Sequence, residues 1–207
     1  HYTTADDMAK IARAAWFNPT FRKYCTTGYY EIPATNKFSE TRYLLNHHKM
    51  MSGQAYAYDG VFGGKTGYTE AAGNTLVTFA RRGNMYLVSV VMQSINGAYS
   101  DTKSLLDYGF NNFSRSAIKA KKEICFSCLP AEKYLIKDYR KCVLFYSMKT
   151  PSVALPNDAD TASVKKSYSI QKNPAGRPLL TINYTLNGHQ VGTARYYPKN
   201  SISDLLL

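Results

Sequence analysis

Apolar positions recur at helical spacing near the start of the chain, where Met8, Ile11, Ala12 and Ala15 share one face and predict an amphipathic helix. Thr4, with Asp7 three residues on, supplies a capping-box-like start. Asn18-Pro19 predicts a second, shorter helix with Asn18 as N-cap and Pro19 at its first position, ended near Gly28. Residues 29–35 read as an extended piece that Pro33 pushes towards a sheet edge. Residues 42–51 carry Leu44, Leu45, Met50 and Met51 around Asn46-His47-His48. Residues 60–67 form a glycine-laced strand, followed by a polar loop through Gly73. Two β-rich runs, 74–81 and 85–93, are joined by Arg82-Gly83-Asn84 as a hairpin turn. The second run is almost wholly apolar, as expected of a strand covered on both faces. Leu105, Leu106 and Phe110 then predict a helix over 101–113, with Ser100 as its N-cap.

The texture changes after Phe113. Residues 114–122 are basic and polar and read as a linker. Short β-like segments follow at 133–136, 142–146, 152–155 and 179–184, and Asn187-Gly188 signals a hairpin between 182–184 and 191–197. Short strands at this spacing predict a small all-β domain. The expected division is 1–115 and 116–207.

Composition changes this picture little. Hydrophobic content of 44%, with 14% aromatic, suffices for a packed core and excludes a disordered chain. No apolar run approaches the roughly 18 residues of a membrane span. A net charge of +12 favours polyanionic partners such as nucleic acid, anionic headgroups or acidic wall polymers. The basic residues are spread along the chain without a recognisable nucleic-acid module, so nucleic acid is the weakest of these. Cys125-x-x-Cys128 has zinc-ribbon or redox spacing, but no second pair follows, and Cys25 and Cys142 stand apart. The adjacent His47 and His48 point apart on either a helix or a strand, which argues against one shared metal ion. No metal and no cofactor are expected.

The glycine-laced strand carries the chemistry. Glycine weakens a strand unless something approaches its backbone closely. Lys65-Thr66-Gly67 sets an ammonium, a hydroxyl and backbone groups along one edge. That is a receptor for an extended peptide, added antiparallel and ending in a carboxylate. Alone, Lys-Thr-Gly is a weak signal. Its setting of strand, loop, strand, hairpin, strand and helix strengthens it.

Residues 58–69, followed by Ala72-Gly73-Asn74, resemble the third active-site motif of serine-type D-alanyl-D-alanine carboxypeptidases, low-molecular-mass penicillin-binding proteins with the serine β-lactamase fold. Residues 1–9 look like the helix after the family's second motif, and residues 46–51 resemble its asparagine-rich turn. Residues 114–207 look like its β-rich C-terminal domain. The resemblance implies an α+β fold: a partial penicillin-binding/β-lactamase-like domain of antiparallel sheet with helices, then a small all-β domain. It implies that Lys65 and Thr66 bind the terminal carboxylate of a peptidoglycan stem peptide ending in D-Ala-D-Ala, or that of a β-lactam. Gly67 permits close approach, and the backbone N–H of Tyr68 is one oxyanion-hole donor. It also implies an extracytoplasmic place at the bacterial envelope and peripheral membrane association through a C-terminal segment, towards which Leu205-Leu206-Leu207 points.

The family's nucleophile lies in Ser-x-x-Lys, and a Ser-x-Asn motif separates it from the Lys-Thr-Gly strand; both are expected upstream of His1. Three Ser-x-x-Lys matches, at Ser100, Ser163 and Ser169, follow the strand instead, in the wrong order, and Ser94-Ile95-Asn96 sits at a strand end. All four read as chance matches. Without the missing half the chain alone should be inactive, poorly stable and rich in exposed apolar surface. Three readings stand: part of a carboxypeptidase, a non-catalytic peptidoglycan-binding fragment, or a serine β-lactamase relative. The added β domain favours the first over the third.

Overall fold

The computed structural model describes residues 2–95, 97–118, 123–126, 143–147, 151–172 and 178–198. The chain forms two compact units, 1–112 and 113–207. The predicted strand at 133–136, Cys128, Cys142, Asn96 and the terminal leucines lie outside the described residues.

The first unit opens with α1 (Ala5–Ala15), capped by Thr4, whose hydroxyl accepts from the Asp7 N–H at 3.1 Å. Helix α2 (Pro19–Thr26) is capped by Asn18, whose Oδ1 accepts from the N–H groups of Thr20 and Phe21. It ends before Gly28, with Thr27 as C-cap. Strands β1 (Tyr29–Ile32) and β2 (Arg42–Leu45) pair antiparallel as a separate two-stranded ribbon.

A three-stranded antiparallel sheet follows in the order β3 (Val61–Thr69), β4 (Gly73–Arg82), β5 (Met85–Val91). Alternation along β4 splits the core between its faces. Val77 and Phe79 turn to one side, where Phe79 meets Ala12 and Cys25, lies tilted against Trp16 at the end of α1 and meets Phe21 of α2 edge-on. Leu76 and Ala80 turn to the other, against Met50, Val91 and Leu106. The central strand β4 holds the most buried run, while β5 is half-buried along much of its length. The apolar run of β5 is nonetheless packed by helices on both faces, because α1 and α3 (Ala98–Asn112) each lie against it. Helix α3 starts before the predicted cap. Gly97 supplies the carbonyl that accepts from the Asp101 N–H, so Ser100 lies within the first turn rather than capping it.

The second unit is built from β-strands and one short 3-10 turn among its described residues. Strands β6 (Phe113–Ala117), β7 (Glu123–Phe126), β8 (Val143–Tyr146), β9 (Ser152–Pro156), β10 (Lys165–Lys172), β11 (Pro178–Leu186) and β12 (His189–Pro198) form a five-stranded sheet, β10-β11-β12-β8-β7, and a β6-β9 pair. Val153 and Leu155 of β9 pack with Leu180, Ile182, Tyr184, Leu186, Ala194 and Tyr196 in its core. Residues 113–117 are therefore a strand, not the start of a linker. Their Phe-Ser-Arg-Ser-Ala pattern shows little alternation of polarity, and the element is fixed by five backbone pairs to β9.

Candidate functional site

Lys65, Thr66, Gly67 and Tyr68 lie in register on β3, opposite Val77, Leu76, Thr75 and Asn74 of β4. Among the described residues the other edge of β3 carries no strand. Lys65, Gly67 and Tyr68 are exposed and Thr66 is half-buried, so the motif presents side chains and free backbone groups together. The Lys65 ammonium donates to the Thr66 carbonyl, which holds the charge close to its own strand.

The three glycines around the motif have reasons internal to the protein. A Cβ on Gly63 would lie 2.6 Å from the Cys25 carbonyl oxygen at the end of α2. One on Gly64 would fall 2.2 Å from the Val77 carbonyl oxygen and 2.5 Å from the His48 ring. One on Gly67 would meet the Thr75 hydroxyl at 2.5 Å. Glycine here lets α2, His48 and β4 close on the strand, a demand separate from any made by a ligand.

His48 is the residue that sequence reasoning underrated. It is fully buried, and its Nε2 sits 2.9 Å from the Thr78 hydroxyl of β4. Its Nδ1 has no hydrogen-bond partner. Burial pushes its pKa below the ordinary 6.5, which keeps the ring neutral as a packing and hydrogen-bonding element. Asn46 fixes the chain leading to it. The Asn46 amide donates from Nδ2 to the Thr27 carbonyl at 3.0 Å, and its Oδ1 accepts from the His48 N–H at 2.9 Å. The turn before the strand is thus tied to the end of α2 on one side and to the underside of β3 on the other. His47, by contrast, is exposed and lines the cavity described next, so the two histidines do point apart.

A cavity of about 360 Å³ opens between α2, the end of β2 and the motif. Phe21, Tyr24 and Leu45 form its apolar wall, and Lys65 and Thr66 its polar side. The arrangement offers a cation, a hydroxyl and an unpaired strand edge to a carboxylate-terminated extended chain.

The chance matches to a nucleophile motif lie elsewhere. Ser94 spends its hydroxyl on Asp101 at 2.6 Å. Ser100 and Lys103 line a second cavity of about 480 Å³ with Tyr56, Tyr58, Asp59 and Arg82, which does not include Lys65-Thr66-Gly67. There Tyr58 donates to Asp107 at 2.6 Å, and burial, helped by that bond, pushes its pKa up to about 12. Ser163 donates to Asp160 in the 3-10 turn, and Ser169 lies on β10. Cys25 is a buried free thiol whose pKa burial raises. No cluster of three or more His, Cys, Asp or Glu that could hold a metal ion occurs among the described residues.

Residues 1–96 match the model of the family described as D-alanyl-D-alanine carboxypeptidase. The chain is 34% identical over 113 residues to the D-alanyl-D-alanine carboxypeptidase DacB2 of Mycobacterium tuberculosis, covering 52% of this chain and 36% of that protein. It is 27% identical over 200 residues to DacA of Escherichia coli, another D-alanyl-D-alanine carboxypeptidase, covering 92% and 45%. In fold it is similar to a peptidoglycan synthesis regulatory factor from Streptococcus pneumoniae, with a TM-score of 0.59 at 16% identity over 95% of this chain and 56% of that one. The chain spans 36–46% of the length of the curated relatives it matches.

Proposed function

We propose that the chain carries the substrate-carboxylate half of a serine-type D-alanyl-D-alanine carboxypeptidase. The observation that supports this most is the Lys65-Thr66-Gly67 motif on a strand edge that has no partner strand among the described residues, beside an open cavity. In this reading the stem peptide lies antiparallel along β3, and Lys65 and Thr66 hold its terminal carboxylate by charge-assisted hydrogen bonds. Gly67 keeps the backbone accessible. The Tyr68 N–H donates to the oxyanion that forms at the penultimate D-alanine carbonyl.

The nucleophilic serine and its lysine base belong to a segment preceding His1. The serine oxygen attacks that carbonyl, the peptide bond breaks, and terminal D-alanine leaves with a proton on its nitrogen. Water then cleaves the acyl-serine ester. β-Lactams carry a carboxylate of the same kind and acylate the same serine. The whole protein works at the outer face of the cytoplasmic membrane, with peripheral attachment through a C-terminal segment. No cofactor takes part. The chain by itself binds without turning over.

The test uses a fluorescent penicillin and the product of the complete reading frame. Covalent labelling, lost on Lys65→Ala together with D-alanine release from a pentapeptide, is the expected result. A complete product that contains no Ser-x-x-Lys, or that stays unlabelled, leaves only the non-catalytic binding reading.

A further inference from the structure

We propose that the cavity of about 480 Å³ at the start of α3 is a second binding site, and that it takes a sugar ring carrying one carboxylate. Its volume lies in the range of small-molecule sites. None of its residues belongs to Lys65-Thr66-Gly67, so the proposal stands apart from the carboxylate-binding reading of that motif.

The side chains divide by what they still have to offer. Met50, fully buried, and Ala57 supply apolar surface. Tyr58 and Arg82 are committed to the protein. The Tyr58 hydroxyl donates to Asp107, and the Arg82 guanidinium lies over the rings of Tyr58 and Phe110, at 4.9 and 4.7 Å from their centroids. Arg82 Nε also faces the Asp59 carboxylate at 3.6 Å, so these two charges largely offset each other. Lys103 is different. It is exposed and has no carboxylate within ion-pair distance among the described residues. The cavity is thus left with one uncompensated positive charge, which a single carboxylate satisfies by charge-assisted hydrogen bonds.

Tyr56 and Tyr99 supply the platform. Their rings stack at 4.7 Å and 11°, and the Tyr99 hydroxyl donates to the His47 carbonyl at 3.4 Å, which ties the pair to the turn that carries His47. Tyr56 remains 55% exposed, with apolar ring surface to lose to a ligand. The C–H face of a pyranose is apolar and slightly positive, and suits the negative face of such a ring. The rim of the same sugar is lined with hydroxyls. These donate to Asp59, whose side chain is 91% exposed and keeps lone pairs open, and accept from Ser100. A purely aliphatic ligand would strand Lys103 and Asp59 without partners. A dianionic phosphate would meet one uncommitted cation with the Asp59 carboxylate in the same cavity. A monocarboxylated sugar answers all of these groups together, with its ring on Tyr56, hydroxyls on Asp59 and Ser100, and acid on Lys103.

The experiment titrates the 207-residue chain with methyl β-D-glucuronide, methyl β-D-glucoside, acetate and inorganic phosphate, following backbone amide resonances. The glucuronide should give saturable shifts in residues 56–59 and 98–103. It should bind about tenfold tighter than the glucoside, which has a hydroxymethyl group in place of the acid. Acetate and phosphate should each bind more weakly than the glucuronide. Lys103→Gln, at an exposed position, should bring the glucuronide down to the affinity of the glucoside and leave the glucoside unchanged. Tyr56→Ser should weaken both sugars. Equal binding of the two sugars, or a ratio unchanged by Lys103→Gln, would overturn the assignment. Acetate or phosphate binding as tightly as the glucuronide would reduce the site to an anion seat and overturn the sugar. Absence of shifts in these residues with all four ligands would overturn the site itself and leave the Lys65 reading untouched.

Discussion

The ribbon β1-β2 and the hairpin β11-β12 are both antiparallel and rich in tyrosine and leucine, yet they treat those side chains differently. In β11, Leu180, Ile182, Tyr184 and Leu186 alternate with Thr181, Asn183 and Thr185, and the apolar set is buried against Val153 and Leu155. Its turn is two residues long, with Asn187 at φ 51° and Gly188 at φ 82°, the left-handed pair that matches strand twist. In β1-β2 the apolar residues are contiguous, Tyr29-Tyr30 facing Leu45-Leu44, so no register can hide them on one face. Tyr30, Tyr43 and Leu45 are exposed, and the ribbon stands apart from the sheet carrying the motif. Contiguous apolar strands are made to be covered on both sides. A lone two-stranded ribbon is marginal in water. The second unit thus contains a finished core, whereas the ribbon beside the motif presents apolar surface that its own unit leaves uncovered among the described residues.

The largest effect that sharpens this contrast comes from the finished core. Leu180→Ala should cost about 2–5 kcal/mol, read as a lowered denaturant midpoint and faster amide exchange in β11 and β12. Gly64→Ala comes next. The new Cβ must displace both the Val77 carbonyl and the His48 ring, at about 1–3 kcal/mol, with exchange quickening in β3 and β4. A midpoint unchanged by Gly64→Ala would mean that His48 does not hold the strand from beneath.

Acid separates the two units further. The folded first unit resists protonation of His48, whereas the unfolded chain takes the proton near pH 6.5. Stability from this group is complete above that pH and is lost as pH falls towards the depressed folded value, by about 1.4 kcal/mol for each unit of depression. His48→Gln should flatten that dependence in a pH series of melts, and a wild-type-like slope would contradict it. Leu45→Ala should move stability by no more than about 0.5 kcal/mol, because Leu45 is 64% exposed. A cost comparable to that of Leu180→Ala would erase the contrast.

Much of the fold could be read from local signals. Thr4, Asn18-Pro19, Gly83-Asn84 and Asn187-Gly188 each fix an element end through backbone chemistry contained in a few residues. What escaped was decided at a distance. Strand β6 is polar, and β10 carries lysines and serines along an edge, so both are set by pairing with β9 and β11 rather than by alternation. The start of α3 was misjudged because Ser100 looks like a cap, while the carbonyl of Gly97, earlier in the chain, already accepts the first bond.

The site divides in the same way. Lys65-Thr66-Gly67 was legible because the residues are consecutive. The support from His48 was not, since it reaches Thr78 across 30 positions. Gly63-Gly64 was the available signal. Two glycines in a strand announce a close approach, and the partners are Cys25 and His48 of the same chain.

The central claim is that the free edge of β3 receives a peptide carboxylate. The most direct measurement is a titration of the chain with an acetylated peptide ending in D-Ala-D-Ala, following backbone amide resonances. The account predicts saturable shifts in Gly64 to Thr69 and none in β11 and β12, abolished by Lys65→Ala. An unmoved β3, or shifts confined to the second unit, would contradict it.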